Sequence, residues 1–396
     1  MTTESVSDRE DGQSEAATTA GTAGGRPERE YSIRQIEPSD GAAFVSLYNL
    51  VYDADLTEAW FDWKYLRNPS TDAPLGYVAL HEGELVGTTP LVPFRMLAAG
   101  KRVLGVLGTD LFVHPDHRRR GLFAGMMDRL LEHVVDHEVT IMFGFPNHEA
   151  LAGLRKFGVR SIGPRRRSYR IENPAPAVRD HLGGRVGRIL SDVSETVARR
   201  AFQTSDHLIG RTSGYDVTRH ECPPIERLVS LYESAVPEQI HALRDEALYR
   251  WWFAAPHEDR TTWVVSRDGA PVAAILTRTT ATRYGSEPVR ITRIDDVVPM
   301  VGPDRSPAIR AGVAEIVATE PHTDVYIAAE DVLPRGVMRR FGFVPETSRV
   351  FERTDFGLGW SSISMRSLRA DQRWTVNGLT LDDRSNTLFT GVEECL

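Results

Sequence analysis

Residues 113–124 read Val-His-Pro-Asp-His-Arg-Arg-Arg-Gly-Leu-Phe-Ala, and this junction decides the fold. An apolar strand pattern, Leu104 to Val113, runs into it, and an amphipathic helix pattern from about Arg119 to His137 runs out. The helix carries two apolar rows, Leu122/Met126/Leu130/Val134 and Phe123/Met127/Leu131/Val135, which together form a broad buried stripe. Three arginines at the helix start oppose the peptide dipoles, which already place positive charge there. Such a break of a local rule tends to mark function. An anion on the helix start, held by free backbone N–H groups and by the arginines, resolves the conflict. Gly121 lets the backbone approach that anion closely.

Upstream, Tyr31 to Ile36 alternates as a strand, and Asp40 is placed to cap a helix carrying Phe44, Leu47, Tyr48 and Val51. A second helical piece holds Trp60, Trp63 and Leu66. Gly76 to Leu80 and Leu85 to Arg95 read as strands around the turn Glu82-Gly83. Downstream come a buried strand, Val139 to Phe145, a helix from Asn147 to about Phe157, and a closing strand at Ser168 to Ile171. Trp60, Trp63 and Tyr65 have the spacing of core residues, although they could also wall a cleft. Arg165-Arg166-Arg167 reads as a solvated strand end that could attract an anionic substrate.

The stretch 31–172 then repeats. Phe44-Val45-Ser46-Leu47-Tyr48 is answered by Leu228-Val229-Ser230-Leu231-Tyr232, and Phe61-Asp62-Trp63-Lys64-Tyr65 by Tyr249-Arg250-Trp251-Trp252-Phe253. Glu82-Gly83 meets Asp268-Gly269, Thr109-Asp110-Leu111 meets Asp295-Asp296-Val297, and Leu154–Val159 meets Met338–Phe343. The offset stays between about 184 and 188 residues, so the chain reads as two copies of one α/β unit. The expected organisation is a disordered tail over 1–29, a first domain over 30–172, a connector with a helix over 173–222, a second domain over 223–356, and a tail over 357–396 that belongs to neither copy by pattern.

The chain has 396 residues, 41% hydrophobic and 26% charged, a globular balance. A formal net charge of −8 argues against a general nucleic-acid binder. Two cysteines, Cys222 and Cys395, suggest neither a disulfide framework nor a zinc cluster, so no metal is expected. No stretch has the length of a membrane span, and the polar N-terminus lacks an apolar signal core. A cytoplasmic protein with no membrane partner is the expectation.

The junction resembles the acyl-CoA signature of the GCN5-related N-acetyltransferase (GNAT) superfamily, Val-x-Pro-x-x-Arg/Gln-x-x-Gly-x-Gly/Ala. Val113, Pro115, Arg118 and Gly121 match in register, while Phe123 stands where the family has Gly or Ala. The resemblance covers about 31–172 well and 223–356 more weakly. It implies two GNAT-type units of α/β class, each a mixed, mostly antiparallel twisted sheet flanked by helices. It also implies that acetyl-CoA, as co-substrate, meets Arg118, Arg119, Arg120, Gly121, Leu122, Phe123 and Ala124 with its pyrophosphate. The pantetheine would lie along Leu111, Phe112 and Val113. Asn147 fits both a CoA contact and a plain N-cap. Where the second copy should carry the loop it reads Val298-Pro299-Met300-Val301-Gly302-Pro303-Asp304-Arg305, with no Arg-x-x-Gly behind it, so this copy is expected not to bind CoA.

Acetyl transfer to an amine requires alignment, an oxyanion donor and removal of a proton from the nucleophile. A backbone N–H near Val113 is the expected donor, and Asp110 is the candidate base. Asp296 at the matching position of the second copy points equally to a structural role for Asp110. Many family members carry a tyrosine acid for the leaving thiolate, but that position holds Leu154 here. His114 and His117 flank the loop. The leading expectation is an N-acetyltransferase acting on a primary amine of a small molecule, amino sugar or peptide. The alternative is a non-catalytic acyl-CoA-binding sensor or scaffold. An aminoacyl transferase of the tandem-GNAT kind is disfavoured because the first copy keeps its CoA loop.

Overall fold

The computed structural model describes residues 31–135, 139–174, 214–284, 287–303, 305–320, 322–348, 361–369, 371 and 373–394. The tail over 1–29 and most of the connector, with its expected helix, lie outside the described residues. The first unit runs β1 (Tyr31–Gln35), α1 (Gly41–Tyr52), α2 (Glu58–Phe61, continued by a wider turn to Leu66), β2 (Leu75–His81), β3 (Glu84–Ala98), β4 (Lys101–Gly108), β5 (Phe112–Val113), α3 (Leu122–Val135), β6 (Val139–Gly144), α4 (His148–Leu154) and β7 (Arg160–Pro164). Then follow β8 (Arg167–Ile171), β9 (Asp216–His220), α5 (Ile225–Glu233), β10 (His241–Ala242), α6 (Glu246–Phe253), β11 (Asp259–Arg267), β12 (Ala270–Tyr284), β13 (Glu287–Val298), α7 (Arg305–Thr319), β14 (Val325–Ala329), α8 (Arg335–Arg340) and β15 (Val344–Pro345). The chain closes with β16 (Ser362–Ser367), β17 (Thr375–Val376), β18 (Leu379–Thr380) and α9 (Gly391–Glu394).

Two mixed sheets result. The first has the order β1-β2-β3-β4-β6-β16-β7, with β5 and β10 adding to β3, and only β4 and β6 are parallel neighbours along it. The second has the order β15-β8-β14-β13-β12-β11-β9, again with one parallel pair, β13 and β14. The repeat seen in the sequence is therefore a repeat of topology. Its turns match as well: Glu82-Gly83 and Asp268-Gly269 both take two successive positive φ values, 53° and 87° against 50° and 79°, the hairpin geometry that suits the twist of the flanking strands.

The two units exchange strands, which corrects two expectations. The strand at Ser168–Ile171 does not close the first sheet: β8 inserts between β14 and β15 of the second. Residues 362–367, expected in a tail outside both copies, form β16 and insert between β6 and β7 of the first. The reason lies at Pro164-Arg165-Arg166. That link lacks the Gly or Asn that a tight hairpin demands, so the chain crosses over rather than turning back. Arg165 is buried in the crossing, where its Nε bonds Glu394 at 2.8 Å and a terminal nitrogen bonds the Phe389 carbonyl at 2.6 Å.

The core between the units has local two-fold character. Trp63 Nε1 donates to the Trp251 carbonyl at 2.7 Å, and Trp251 Nε1 donates to the Trp63 carbonyl at 2.8 Å. The two indoles stack at 5.2 Å with 15° between planes. Trp60, Trp63 and Tyr65 are all buried, so these residues are core. Asp40 stands at the N-cap of α1, yet its carboxylate pairs with Arg34 at 2.7 Å rather than with the helix N–H groups.

Candidate active site

The expected single strand from Leu104 to Val113 is broken. β4 pairs with β3 as far as Gly108 opposite Leu91, and β5 resumes with Phe112 opposite Thr88. One extra residue is accommodated between these points, a bulge in which Asp110 takes φ 50°. On its other side β4 follows β6 only to the Leu107–Phe143 pair. The two strands end in an opening lined by Gly108, Thr109, Asp110 and Leu111 on one edge and by Gly144, Phe145 and Asn147 on the other. This opening is part of a cavity of about 470 Å³. Thr89, Met127 and Leu154 line it on the helix α3 and α4 side, Tyr48 and Tyr52 of α1 also line it, and Arg167, Arg293 and Glu394 line it toward the second unit.

Helix α3 begins at Leu122, three residues later than expected, so the arginines stand in the loop before it. The loop is built from its own backbone. His114 caps a short turn over Pro115–His117, Arg118 Nε reaches back to the Val113 carbonyl at 3.1 Å, and a terminal nitrogen of Arg120 reaches the Asp116 carbonyl at 3.2 Å. Arg119 has φ 62° and Gly121 φ 77°. A positive φ at arginine is costly and persists where the surroundings fix it. Arg118, Arg119 and Arg120 are exposed, and among the described residues none has a carboxylate within ion-pair distance. Nothing stands within 4 Å of the space a Cβ would take at Gly121. The first N–H groups of α3 have no intrahelical acceptor, whereas the Gly125 N–H already bonds the Gly121 carbonyl at 2.9 Å. The loop therefore offers unpaired cations, free donors and an open approach, the set a pyrophosphate needs.

Phe123 is reconciled with the loop by its neighbours. Its ring meets Phe157 edge-on at 5.4 Å and lies over Gly153, where an added Cβ would come within 3.2 Å of it. The bulk is absorbed between α3 and α4. Leu122 is buried and Ala124 exposed at the helix start. Asn147 accepts from the Ala150 N–H at 2.9 Å and is the N-cap of α4. His117 shares a 2.9 Å bond with the Tyr31 hydroxyl.

Asp110 is heavily engaged. Its Oδ2 accepts from Lys64 Nζ at 2.6 Å and from the Tyr65 hydroxyl, and Thr109 Oγ1 donates to Oδ1 at 3.2 Å. The Thr88 hydroxyl holds the Asp110 carbonyl at 2.8 Å. Lys64 is buried, its ammonium 4.7 Å from the Trp60 ring centre. Burial, with the Asp110 charge second, holds the Tyr48 hydroxyl well above the usual tyrosine range and raises that of the more exposed Tyr52, so both stay protonated donors beside the opening.

The second copy carries a bulge at Asp295-Asp296, but the space beyond it is filled. Helix α9 lies on β13 so closely that a Cβ at Gly391 would stand 2.2 Å from Asp295 Oδ1. Arg244, fully buried, binds Asp296 at 2.8 Å and Glu393 at 2.6 Å. Helix α7 follows Pro299 and Pro303, and Pro307 removes a further donor from its first turn.

Sequence reasoning missed the wall facing the second unit. The expectation of a solvated Arg165–Arg167 end fails for two of the three residues. Arg165 and Arg167 are buried on Glu394, and only Arg166 is exposed. Buried but flanked by Arg165 and then Arg167, Glu394 is held down to about 2. Ser361 places a buried hydroxyl without a partner, among the described residues, on the cavity wall. These residues come together only through the strand exchange, and no local pattern announces it.

Residues 32–161 match the family profile of the acetyltransferase (GNAT) domain. The fold is similar to a tandem GNAT protein from the clavulanic acid biosynthesis pathway, with TM-score 0.54 and 15% identity over 86% of this chain and 99% of that one. It is also similar to a GCN5-related N-acetyltransferase from Anabaena variabilis, with TM-score 0.54 and 12% identity over 86% of this chain and 73% of the other. N-myristoyltransferase from Saccharomyces cerevisiae with bound myristoyl-CoA gives TM-score 0.60 and 14% identity over 91% of this chain and 84% of that one. No curated protein matches the chain in sequence.

Proposed function

The chain carries a GNAT domain at residues 32–161 within a fold of the tandem GNAT kind, and from that premise we propose an acetyl-CoA-dependent N-acetyltransferase that acts on a primary amine. The observation that carries the reading is the loop before α3, where three arginines without carboxylate partners surround an open Gly121 at a helix start. Arg118, Arg119 and Arg120 with the first N–H groups of α3 would hold the pyrophosphate. Leu111, Phe112 and Val113 would line the pantetheine, and Asn147, a cap in its own right, stands on the opposite edge of the opening. When bound, the thioester supplies the acyl group. The chain's task is to align an amine against it and to receive the amine's proton.

For that proton Asp110 remains the candidate. Its partners Lys64 and Tyr65 would have to yield a lone pair to the incoming amine. Asp110→Asn tests the role. A lost base lowers kcat by about 100-fold or more with CoA affinity retained, whereas a purely structural role lowers stability and leaves the kcat of the folded fraction unchanged. Leu154 provides no hydroxyl for the leaving sulfur, so the thiolate would leave unassisted or through water.

Incubation with acetyl-CoA and an amine library, following free thiol, tests the proposal. Amine-dependent thiol release supports it. Tight CoA binding without release favours a non-catalytic acyl-CoA-binding module, the reading that the apolar Leu154 supports. Absence of CoA binding removes both.

A further inference from the structure

The cavity that opens at Asp110 is also lined by Arg167, Arg293 and Glu394. In the second sheet, Arg260 on β11 faces Arg278 on β12, and Arg278 faces Arg293 on β13, so three arginines line up across neighbouring strands. Like charges directly opposite one another destabilise a sheet unless each is compensated. Two are compensated. Glu258 binds Arg260 Nε at 2.9 Å and a terminal nitrogen of Arg278 at 3.1 Å, and Asp295 binds Arg278 Nε at 2.7 Å. The third is not. Among the described residues the Arg293 side chain makes no hydrogen bond, and no carboxylate lies within ion-pair distance of it. The nearby acids are committed elsewhere, Asp295 to Arg278 and Glu394 to Arg165 and Arg167. Arg293 is nevertheless only partly covered, and it lines the same cavity as Asp110. Burial, and then Arg278 across the strand, lower its pKa from the ordinary arginine value against the opposing pull of Glu394 and Asp295.

We propose that Arg293 receives a carboxylate of the acceptor, so that the amine acetylated at this site is an amino acid or another amine bearing a carboxylate. The inference rests on the acetyltransferase reading of the cavity. A planar guanidinium with its donors free matches a carboxylate in a two-bond fork. A phosphate dianion would bring two negative charges to one uncompensated cation, and an amino sugar without an acid group would leave that cation unpaired. The carboxylate would tether the acceptor at the second-unit wall and leave its amine to approach the opening at Asp110. Arg293 is thus a specificity residue rather than a catalytic one.

The test uses the full chain saturated with CoA and measures calorimetric binding of a panel: the α-amino acids, β-alanine, the matching amides, and phosphoethanolamine with ethanolamine. The expected result is one or more carboxylates binding about 10- to 100-fold more tightly than the matching amide, the worth of a charged hydrogen-bonded pair. Arg293→Gln abolishes that preference and leaves CoA affinity unchanged, and Arg293→Lys keeps part of it. Equal binding of acid and amide, binding by no panel member, a preference that survives Arg293→Gln, or stronger binding of phosphoethanolamine than of any carboxylate overturns the proposal. CoA affinity and thiol release, read separately on the same samples, report whether the acetyltransferase reading itself has failed.

Discussion

Arg244 joins parts of the chain far apart in sequence, and replacing it tests the interlock of the two units. Its guanidinium contacts Asp296 at 2.8 Å, Glu393 at 2.6 and 3.1 Å, Thr390 Oγ1 at 2.8 Å and the Ala242 carbonyl at 2.8 Å, all in the interior. Ala242 belongs to β10, which pairs with β3 of the first sheet; Asp296 is at the bulge of the second sheet; Glu393 is on α9. Arg244→Met keeps the apolar stem and leaves two buried carboxylates without their cation. Breaking a buried pair in this way costs about 3–5 kcal/mol. The cost has a pH signature. In the wild type, burial opposes ionisation of Glu393, but Arg244 and its other hydrogen bonds outweigh that and hold it below the usual range. Burial already holds Asp296 above its ordinary value in the wild type; without Arg244 it rises further, and Glu393 rises above its own unfolded value. A raised acid stabilises the fold below its unfolded pKa and loses that contribution as pH climbs. The destabilisation of the variant is therefore largest at pH 7–8 and shrinks toward pH 5. Urea unfolding of both proteins at pH 5, 6, 7 and 8, followed by tryptophan fluorescence, measures it. Because the sheets exchange strands, one transition is expected rather than two. A loss under about 1 kcal/mol, or a loss that does not change with pH, would refute the reasoning.

Trp63→Phe and Trp251→Phe each strand one buried carbonyl and should each cost about 1–3 kcal/mol; a double-mutant cycle in urea should return a coupling of about 0.5–3 kcal/mol, and strict additivity would deny the reciprocal contact. His241 is buried between the Tyr232 hydroxyl at Nε2 and the Gln239 carbonyl at Nδ1, and burial holds its pKa down to about 4. Its unfolded form takes up the proton first, so stability is full above about pH 6.5 and falls as pH drops toward 4; His241→Gln should flatten that limb of the stability–pH curve, and an unchanged limb would assign it to other groups.

The sequence carried the units and the loop because both are local. Turns such as Glu82-Gly83, the apolar rows of α3, and the Phe157-Gly158 and Phe341-Gly342 helix ends, both with left-handed glycines, depend on neighbours in the chain. The helix start slipped by three residues because Arg119 and Gly121 both take positive φ, a geometry that a periodic apolar pattern does not register. The strand break at Asp110 was hidden for a related reason: Leu104 to Val113 is apolar on both sides of a one-residue bulge. What was not legible is non-local. β8 reads as the closing strand of its own unit and β16 lies in a stretch that matches neither copy, but each completes a sheet of a unit distant in sequence. The pairing of Arg167 with Glu394 and the isolation of Arg293 follow from that exchange, so the far wall of the cavity could not be assembled from spacing.

The central claim is that the scaffold occurs twice and the anion site once. Isothermal titration with CoA tests it most directly. The account predicts a stoichiometry of one CoA per chain and loss of measurable binding in Gly121→Asp, which places a carboxylate among the loop's free donors. Two CoA per chain, or undiminished affinity in Gly121→Asp, would contradict it.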